Sequence, residues 1–160
     1  MRLRRVFAMP ATIIHEVHDK FLFPERAAKF GLSVPETALD GTVAAECLIA
    51  KGSTVAKPRH SCAGNGIHYL NQGDRHQISA GNVIQQKIVG QELSTCSVAF
   101  RGKVIATAIY RATVLSGTVA CGFERVEAPA IERWVASFVA ASHWNGFISF
   151  DFLVSDDGTP

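Results

Sequence analysis

The segment Val55-Ala56-Lys57-Pro58-Arg59-His60-Ser61-Cys62-Ala63-Gly64-Asn65-Gly66-Ile67 constrains the fold more than any other part of the chain. It reads as a short strand ending in a lysine, then a loop of small residues, then a return into a second strand. A lysine at a strand end beside a glycine loop is one way to build a polyphosphate site. The ammonium supplies a mobile point charge. The glycines let backbone N–H groups turn toward an anion without interference from a Cβ. The spacing is not that of a P-loop, which needs G-x-x-x-x-G-K-[ST]. On the loop alone, a glycine turn in a hairpin with one exposed lysine is the simpler explanation.

A chain of 160 residues suits one domain or two small lobes, and can bury a core. Its 48% hydrophobic and 19% charged content is that of a globular chain. A net charge of +2, from 16 basic and 14 acidic residues, gives no electrostatic case for a nucleic acid or a membrane surface as partner. No apolar run approaches a membrane span. The start, Met1-Arg2-Leu3-Arg4-Arg5 and the apolar residues after it, imitates a secretory leader. Pro10 interrupts it and no small-residue cleavage site follows, so a cytoplasmic protein is expected, with an arginine-rich organelle-targeting segment as the alternative. Cys47, Cys62, Cys96 and Cys121 lie at wide, irregular intervals with no C-x-x-C pair. That spacing indicates neither a zinc site nor a redox motif, and reduced thiols are expected.

Two halves emerge along the chain. Asp19-Lys20 opens a helical segment that runs through Ala27 and Phe30 to a stop at Gly31. An extended connection follows, ending in a strand-like piece at Thr37. Asp40 or Thr42 can cap a second helix through Ala45, Leu48 and Ile49. Strand 54–57 and the glycine loop complete this half. The second half opens with a strand over 83–89. Residues 93–100 and 104–110 form a hairpin about Arg101-Gly102-Lys103. Pro129 starts a helix whose apolar face is Ile131, Trp134, Val135, Phe138 and Val139. A strand over 147–154 and a turn at Asp156-Asp157-Gly158 close the chain.

Taken in order, these pieces resemble the ATP-grasp family over about residues 18–160. Asp19-Lys20 with Gly31-Leu32-Ser33-Val34-Pro35 is similar to the family's D-K … G-L-x-V-P entry. Lys57-Pro58 and the loop to Gly66 resemble its strand-end lysine and phosphate loop. Gln85-Gln86-Lys87-Ile88-Val89-Gly90-Gln91-Glu92 resembles the inter-lobe strand, usually Q-E-x-I-x-G-x-E. Gly146 with Phe150-Asp151-Phe152 and Asp157-Gly158 resembles the late D-F … D-G segment. Carboxylate–amine ligases and carbamoyl-phosphate synthase are nearest in flavour.

The resemblance implies an α+β fold of two lobes with ATP between them. Residues 1–18 would be an N-terminal remnant, 19–82 a small α/β lobe with the phosphate loop, and 83–160 a second lobe of antiparallel sheet plus helix. Lys20 and Lys57 would contact the ATP phosphates, where accumulated charge must be neutralised. Ser61, Cys62, Ala63, Gly64, Asn65 and Gly66 would cover them. Gln85 would face the adenine amino edge, with the backbone of Gln86, Lys87 and Ile88 bonding the ring. Glu92 would accept from the ribose hydroxyls. Asp151 would sit near Mg²⁺, a hard cation suited to carboxylate oxygen. Arg111 would reach a phosphate or an acyl-phosphate.

Each residue also has an ordinary structural explanation. Lys20 can be a surface lysine at a helix start, Gln85 and Glu92 solvent-facing residues, and Arg111 an exposed strand arginine. Asp151 alternates with Phe150 and Phe152, so it can face solvent.

The family's strand after the D-G turn carries a Glu and an Asn that hold magnesium, and the chain ends before it. The segment between Leu70 and Val83 is short and polar where the family has a helix. The expectation is therefore an ATP- and magnesium-binding unit, incomplete at its C-terminus, of a ligase. That ligase would activate an unidentified carboxylate as an acyl-phosphate and join it to an amine, with other domains of a longer parent completing the site. A non-catalytic ATP-binding fragment and an interaction domain without nucleotide remain the alternatives.

Overall fold

The computed structural model describes residues 6–61, 64–71, 81–117 and 119–160. Its contacts divide into two compact units. One comprises His15–Val89 with Gly117–Val119; the other comprises Met1–Ile14, Gly90–Ser116 and Ala120–Pro160.

The unit centred on His15–Val89 begins within helix α1 (Ala11–His18) and continues into α2 (Leu22–Lys29). Asp19 starts α2: its Oδ1 accepts the Phe21 and Leu22 N–H groups at 2.9 and 3.2 Å, supplying partners that the first turn of a helix lacks. At the other end Leu32 N–H bonds the Ala27 carbonyl and Gly31 N–H that of Ala28, with Gly31 at φ 74°. This is the glycine stop expected from the sequence. Strand β1 (Thr37–Leu39) leads to α3 (Val43–Lys51). Thr42, rather than Asp40, is the cap: its side chain accepts from Ala45 N–H at 3.2 Å.

Strands β2 (Thr54–Pro58), β3 (His68–Leu70) and β4 (Asn82–Gln86) join β1 in one antiparallel sheet of order β1-β4-β2-β3. Ala38, Ala56, Leu70 and Ile84 on one face pack against Ala45, Leu48 and Ile49 of α3. Directly paired residues share a face and neighbours along a strand alternate. Hence Thr37, Val55, Lys57, Val83 and Gln85 lie on the face opposite α3.

The other unit is built on β5 (Gln91–Phe100), β6 (Lys103–Ser116), β7 (Val119–Arg125) and β8 (Gly146–Val154), ordered β7-β6-β5-β8, with helix α4 (Pro129–Ser142). Arg101 and Gly102, at φ 51° and 76°, make the two-residue turn between β5 and β6. Positive φ at both central positions matches the twist of the flanking strands. Leu93, Thr95, Ile109, Ile148, Phe150 and Phe152 are buried, as is the predicted α4 face of Ile131, Trp134, Val135, Phe138 and Val139. Trp134 and Phe138 stack with ring centroids 5.7 Å apart, and Phe150 meets each edge-on at 5.1 Å.

Four features differ from the sequence expectation. Residues 11–18, expected as part of an N-terminal remnant without a helix, form α1. The strand expected over 83–89 stops at Gln86, because Lys87 N–H turns to the Ser53 carbonyl at 2.9 Å. Its pairing with β1 and β2 carries the division of the chain to Val89, beyond the expected boundary at 82/83. Strand β7 was not anticipated, since Gly122 interrupts its alternation; a Cβ at Gly122 would come within 2.8 Å of Val114 Cγ2.

Candidate functional site

Lys20 and Lys57 are brought together within the first sheet's unit. Lys57 ends β2 on the face away from α3 and is half-buried. Its pKa lies below the ordinary lysine value, first because burial penalises the ammonium and then because the Lys20 charge stands nearby. No carboxylate pairs with Lys57 among the described residues. A desolvated cation beside a second cation is an arrangement that an anion would relieve.

Lys20 is held at its backbone and at its side chain. Its N–H bonds the Arg59 carbonyl at 3.2 Å, and its Nζ donates to the carbonyl of Ser61. Its neighbour Asp19 is buried, with Oδ2 accepting from Arg59 Nε at 2.6 Å and lying 3.7 Å from His60 Nε2. Burial alone would raise the Asp19 pKa. The Phe21 and Leu22 N–H groups and the Arg59 guanidinium outweigh it and hold the carboxyl below its ordinary value. Arg59 also lies over the Phe21 ring, 5.7 Å from its centroid. The sequence marks Asp19 as a helix start and as the first residue of the D-K pair, but gives no signal for its bond to Arg59, which only follows Lys57-Pro58.

The loop beyond Ser61 returns at residues 64–66. Gly66 has φ 73°, and a Cβ there would stand 2.7 Å from Pro58 Cγ. Glycine is therefore required twice over, by backbone sign and by space. Cys62 and Ala63 lie outside the described residues, as does most of the polar segment before Val83.

Gln85 is buried on the same face as Lys57, and its Nε2 donates to Thr37 Oγ1 at 2.8 Å. The amide is thus held by β1 rather than facing solvent. Gln86 bonds Glu36 twice, through its N–H at 2.8 Å and its Oε1 at 3.3 Å. Lys87 Nζ stands 5.1 Å over the Tyr69 ring. Ile88 offers an N–H and a carbonyl without a backbone partner among the described residues.

Asp151 belongs to the other unit. It is exposed on the face of β8 opposite Phe150 and Phe152, and Ser94 Oγ donates to its Oδ1 at 2.7 Å. Ser94 pairs with both Asp151 and Tyr110, so the three form a row across β8, β5 and β6 on the face away from α4. Tyr110 has its pKa raised by burial and then by the negative character of Cys96 and Asp151. Beyond it a cleft of about 310 Å³ is lined by Tyr110, Phe123 and Arg125. Glu92 is exposed on the same outer face of β5 as Ser94.

Arg111 does not join this row. Strand alternation turns it to the other face, where Glu124 Oε2 accepts from its Nε at 2.8 Å and lies 2.6 Å from Nη2.

The donors present suit the expected groups in type. Lys57, desolvated and lacking a carboxylate, fits a phosphate. Asp151 supplies one hard oxygen in addition to the one Ser94 engages. Mg²⁺ accepts such sparse protein ligation, completing its shell with water and phosphate oxygens. No larger group of His, Cys, Asp or Glu gathers among the described residues.

The chain is thus a two-sheet α+β fold that carries a lysine near the end of β2 beside a glycine loop. This chain belongs to the ATP-grasp family: the model of the ATP-grasp domain matches residues 17–159. Solved structures share the fold. Phosphoribosylamine–glycine ligase from Thermotoga maritima superposes with TM-score 0.69 at 16% identity, over 94% of this chain and 47% of its own. L-amino acid ligase from Bacillus licheniformis gives 0.68 at 19%, over 95% and 40%. Carboxyaminoimidazole ribonucleotide synthase from Aspergillus clavatus, solved with ATP, gives 0.66 at 13%, over 94% and 44%. The chain thus spans less than half of each of these proteins. No curated protein matches the sequence. Among the described residues, no helix is long and apolar enough to cross a membrane.

Proposed function

We propose that this chain is the ATP- and magnesium-binding portion of a ligase that joins a carboxylate to an amine through an acyl-phosphate. The observation that carries the reading is Lys57, a half-buried ammonium with no carboxylate partner among the described residues, beside Lys20 and a glycine loop. Lys20 and Lys57 bind the polyphosphate and neutralise its charge. Ser61 and residues 64–66 would cover it. The backbone at Ile88 bonds the adenine ring, with Gln85 and Gln86 beside it, and Glu92 accepts from the ribose. Asp151 would hold the magnesium ion.

When bound, ATP would supply the phosphoryl group and magnesium the positive charge that neutralises the phosphates. The carboxylate oxygen would take the γ-phosphoryl group with release of ADP, and the amine would then displace phosphate from the acyl carbon with loss of a proton to solvent. The protein's part is positioning and electrostatic neutralisation rather than covalent catalysis. The cytoplasm, where ATP is abundant, suits this chemistry.

Titration of the chain with ATP, with and without Mg²⁺, tests the reading. Saturable binding that tightens with Mg²⁺ is expected. Binding indifferent to the metal favours a non-catalytic nucleotide module. No binding favours an interaction domain.

A further inference from the structure

The phosphate-facing lysines lie at two distant points of the chain, and something must hold them in register. We propose that Asp19 and Arg59 form a clamp that positions the Lys20 ammonium and the base of the glycine loop for polyphosphate. The inference rests on the nucleotide reading above and names positioning residues for that site.

Asp19 has two oxygens with separate tasks. Oδ1 accepts the Phe21 and Leu22 N–H groups and so fixes the start of α2. Oδ2, on a side chain that is only 5% exposed, accepts from Nε of Arg59, which is 33% exposed, at 2.6 Å. One carboxylate thus joins the α1–α2 turn to the residue just beyond β2. Two further bonds run the same way: Lys20 N–H to the Arg59 carbonyl, and Lys20 Nζ to that of Ser61. The segment that carries Lys20 is therefore laced to the two ends of Arg59-His60-Ser61, the stretch that leaves Lys57-Pro58 and enters the loop.

Charge shows why such a link is needed. Lys20, Lys57 and Arg59 are all cations in one region, and the Lys20 charge already disfavours that of Lys57. Left alone, flexible ammonium groups would diverge. A buried carboxylate fixed by backbone N–H groups supplies a counter-charge to this region through Arg59, and a guanidinium holds its bonds in a rigid fork. The backbone that carries Lys20 is thereby held against the residue that follows β2.

Asp19→Asn isolates the clamp. Asparagine retains an oxygen for the Phe21 and Leu22 N–H groups and is an equally good helix cap. It removes the charge that pairs with Arg59 and replaces the accepting Oδ2 by an amide NH2, which cannot accept from Arg59 Nε. Simple electrostatics predicts that deleting a negative charge tightens binding of an anion. The clamp predicts the reverse: a dissociation constant for ATP raised about tenfold, with adenosine, which lacks phosphates, bound as before. Arg59→Met should weaken ATP similarly, and the double variant should be no weaker than Arg59→Met alone.

Hydrogen exchange provides a readout without nucleotide. Exchange at the Lys20 amide and at residues 64–66 should accelerate in Asp19→Asn, while α3 and β4 stay protected. Unchanged or tighter ATP binding by Asp19→Asn, or additive effects in the double variant, overturns the clamp while leaving the nucleotide reading intact. Failure of the unaltered chain to bind ATP removes that reading, and unchanged exchange at Lys20 and residues 64–66 then removes the clamp as well.

Discussion

Ser94 Oγ donates to Asp151 Oδ1 at 2.7 Å, between directly paired residues of β5 and β8. The hydroxyl orients an exposed carboxylate that shares its strand with Phe150 and Phe152, both buried on the opposite face. Asp151→Asn keeps an acceptor for Ser94 but removes the charge that draws a hard cation. The ratio of ATP affinity with Mg²⁺ to that without should fall toward unity in this variant, with metal-free affinity unchanged. Titrations at matched ionic strength check this, and an undiminished ratio would remove Asp151 from the metal site.

Lys57 gives a pH dependence with two opposite signs. Burial, then the Lys20 charge, lowers its pKa from the ordinary 10.5. Phosphate binds the charged form, so ATP affinity is full below the lowered pKa and declines as pH rises through it. The decline should begin before solvent lysines titrate. Stability runs the other way. Between the folded and unfolded pKa values the unfolded chain binds more protons, so the folded state gains stability as pH rises. Binding and denaturation profiles over the alkaline range check both signs, and Lys57→Met should abolish both features.

Gly66→Ala tests the turn between β2 and β3. The new Cβ must accept φ 73° and a 2.7 Å approach to Pro58 Cγ. The backbone conformation alone costs about 1–3 kcal/mol for a residue other than glycine. Urea denaturation should show a loss of that order or more. A loss of stability within the few tenths typical of exposed sites would mean that the loop closes in another way.

Sequence patterning predicted what periodicity governs. The α4 face, the hairpin at Arg101-Gly102 and the glycine stop at Gly31 depend on residues close in sequence. What it left open are choices made by tertiary contact. Thr42 caps α3 instead of Asp40 because its hydroxyl reaches Ala45 N–H. The end of β4 is set by Ser53, a residue far away in sequence that takes Lys87 N–H. For the site, residue types and motif order suggested Lys20, Lys57 and Asp151, and alternation left the facing of Asp151 undecided. The Asp19–Arg59 pair was invisible, because nothing in a sequence says which buried aspartate meets which arginine. The ion pair of Arg111 is equally hidden in the sequence: its partner Glu124 lies on β7, a strand that the sequence pattern does not reveal.

The most direct test of the account compares ATP and adenosine binding to the unaltered chain, Lys57→Ala and Lys57→Arg by calorimetric titration. Loss of a charge-assisted phosphate contact costs about 1.5–3 kcal/mol, which is roughly a tenfold to hundredfold loss of affinity. Lys57→Ala should lose ATP to that extent, Lys57→Arg less, and neither should change adenosine binding. Equal ATP affinity in the unaltered chain and Lys57→Ala would contradict the account.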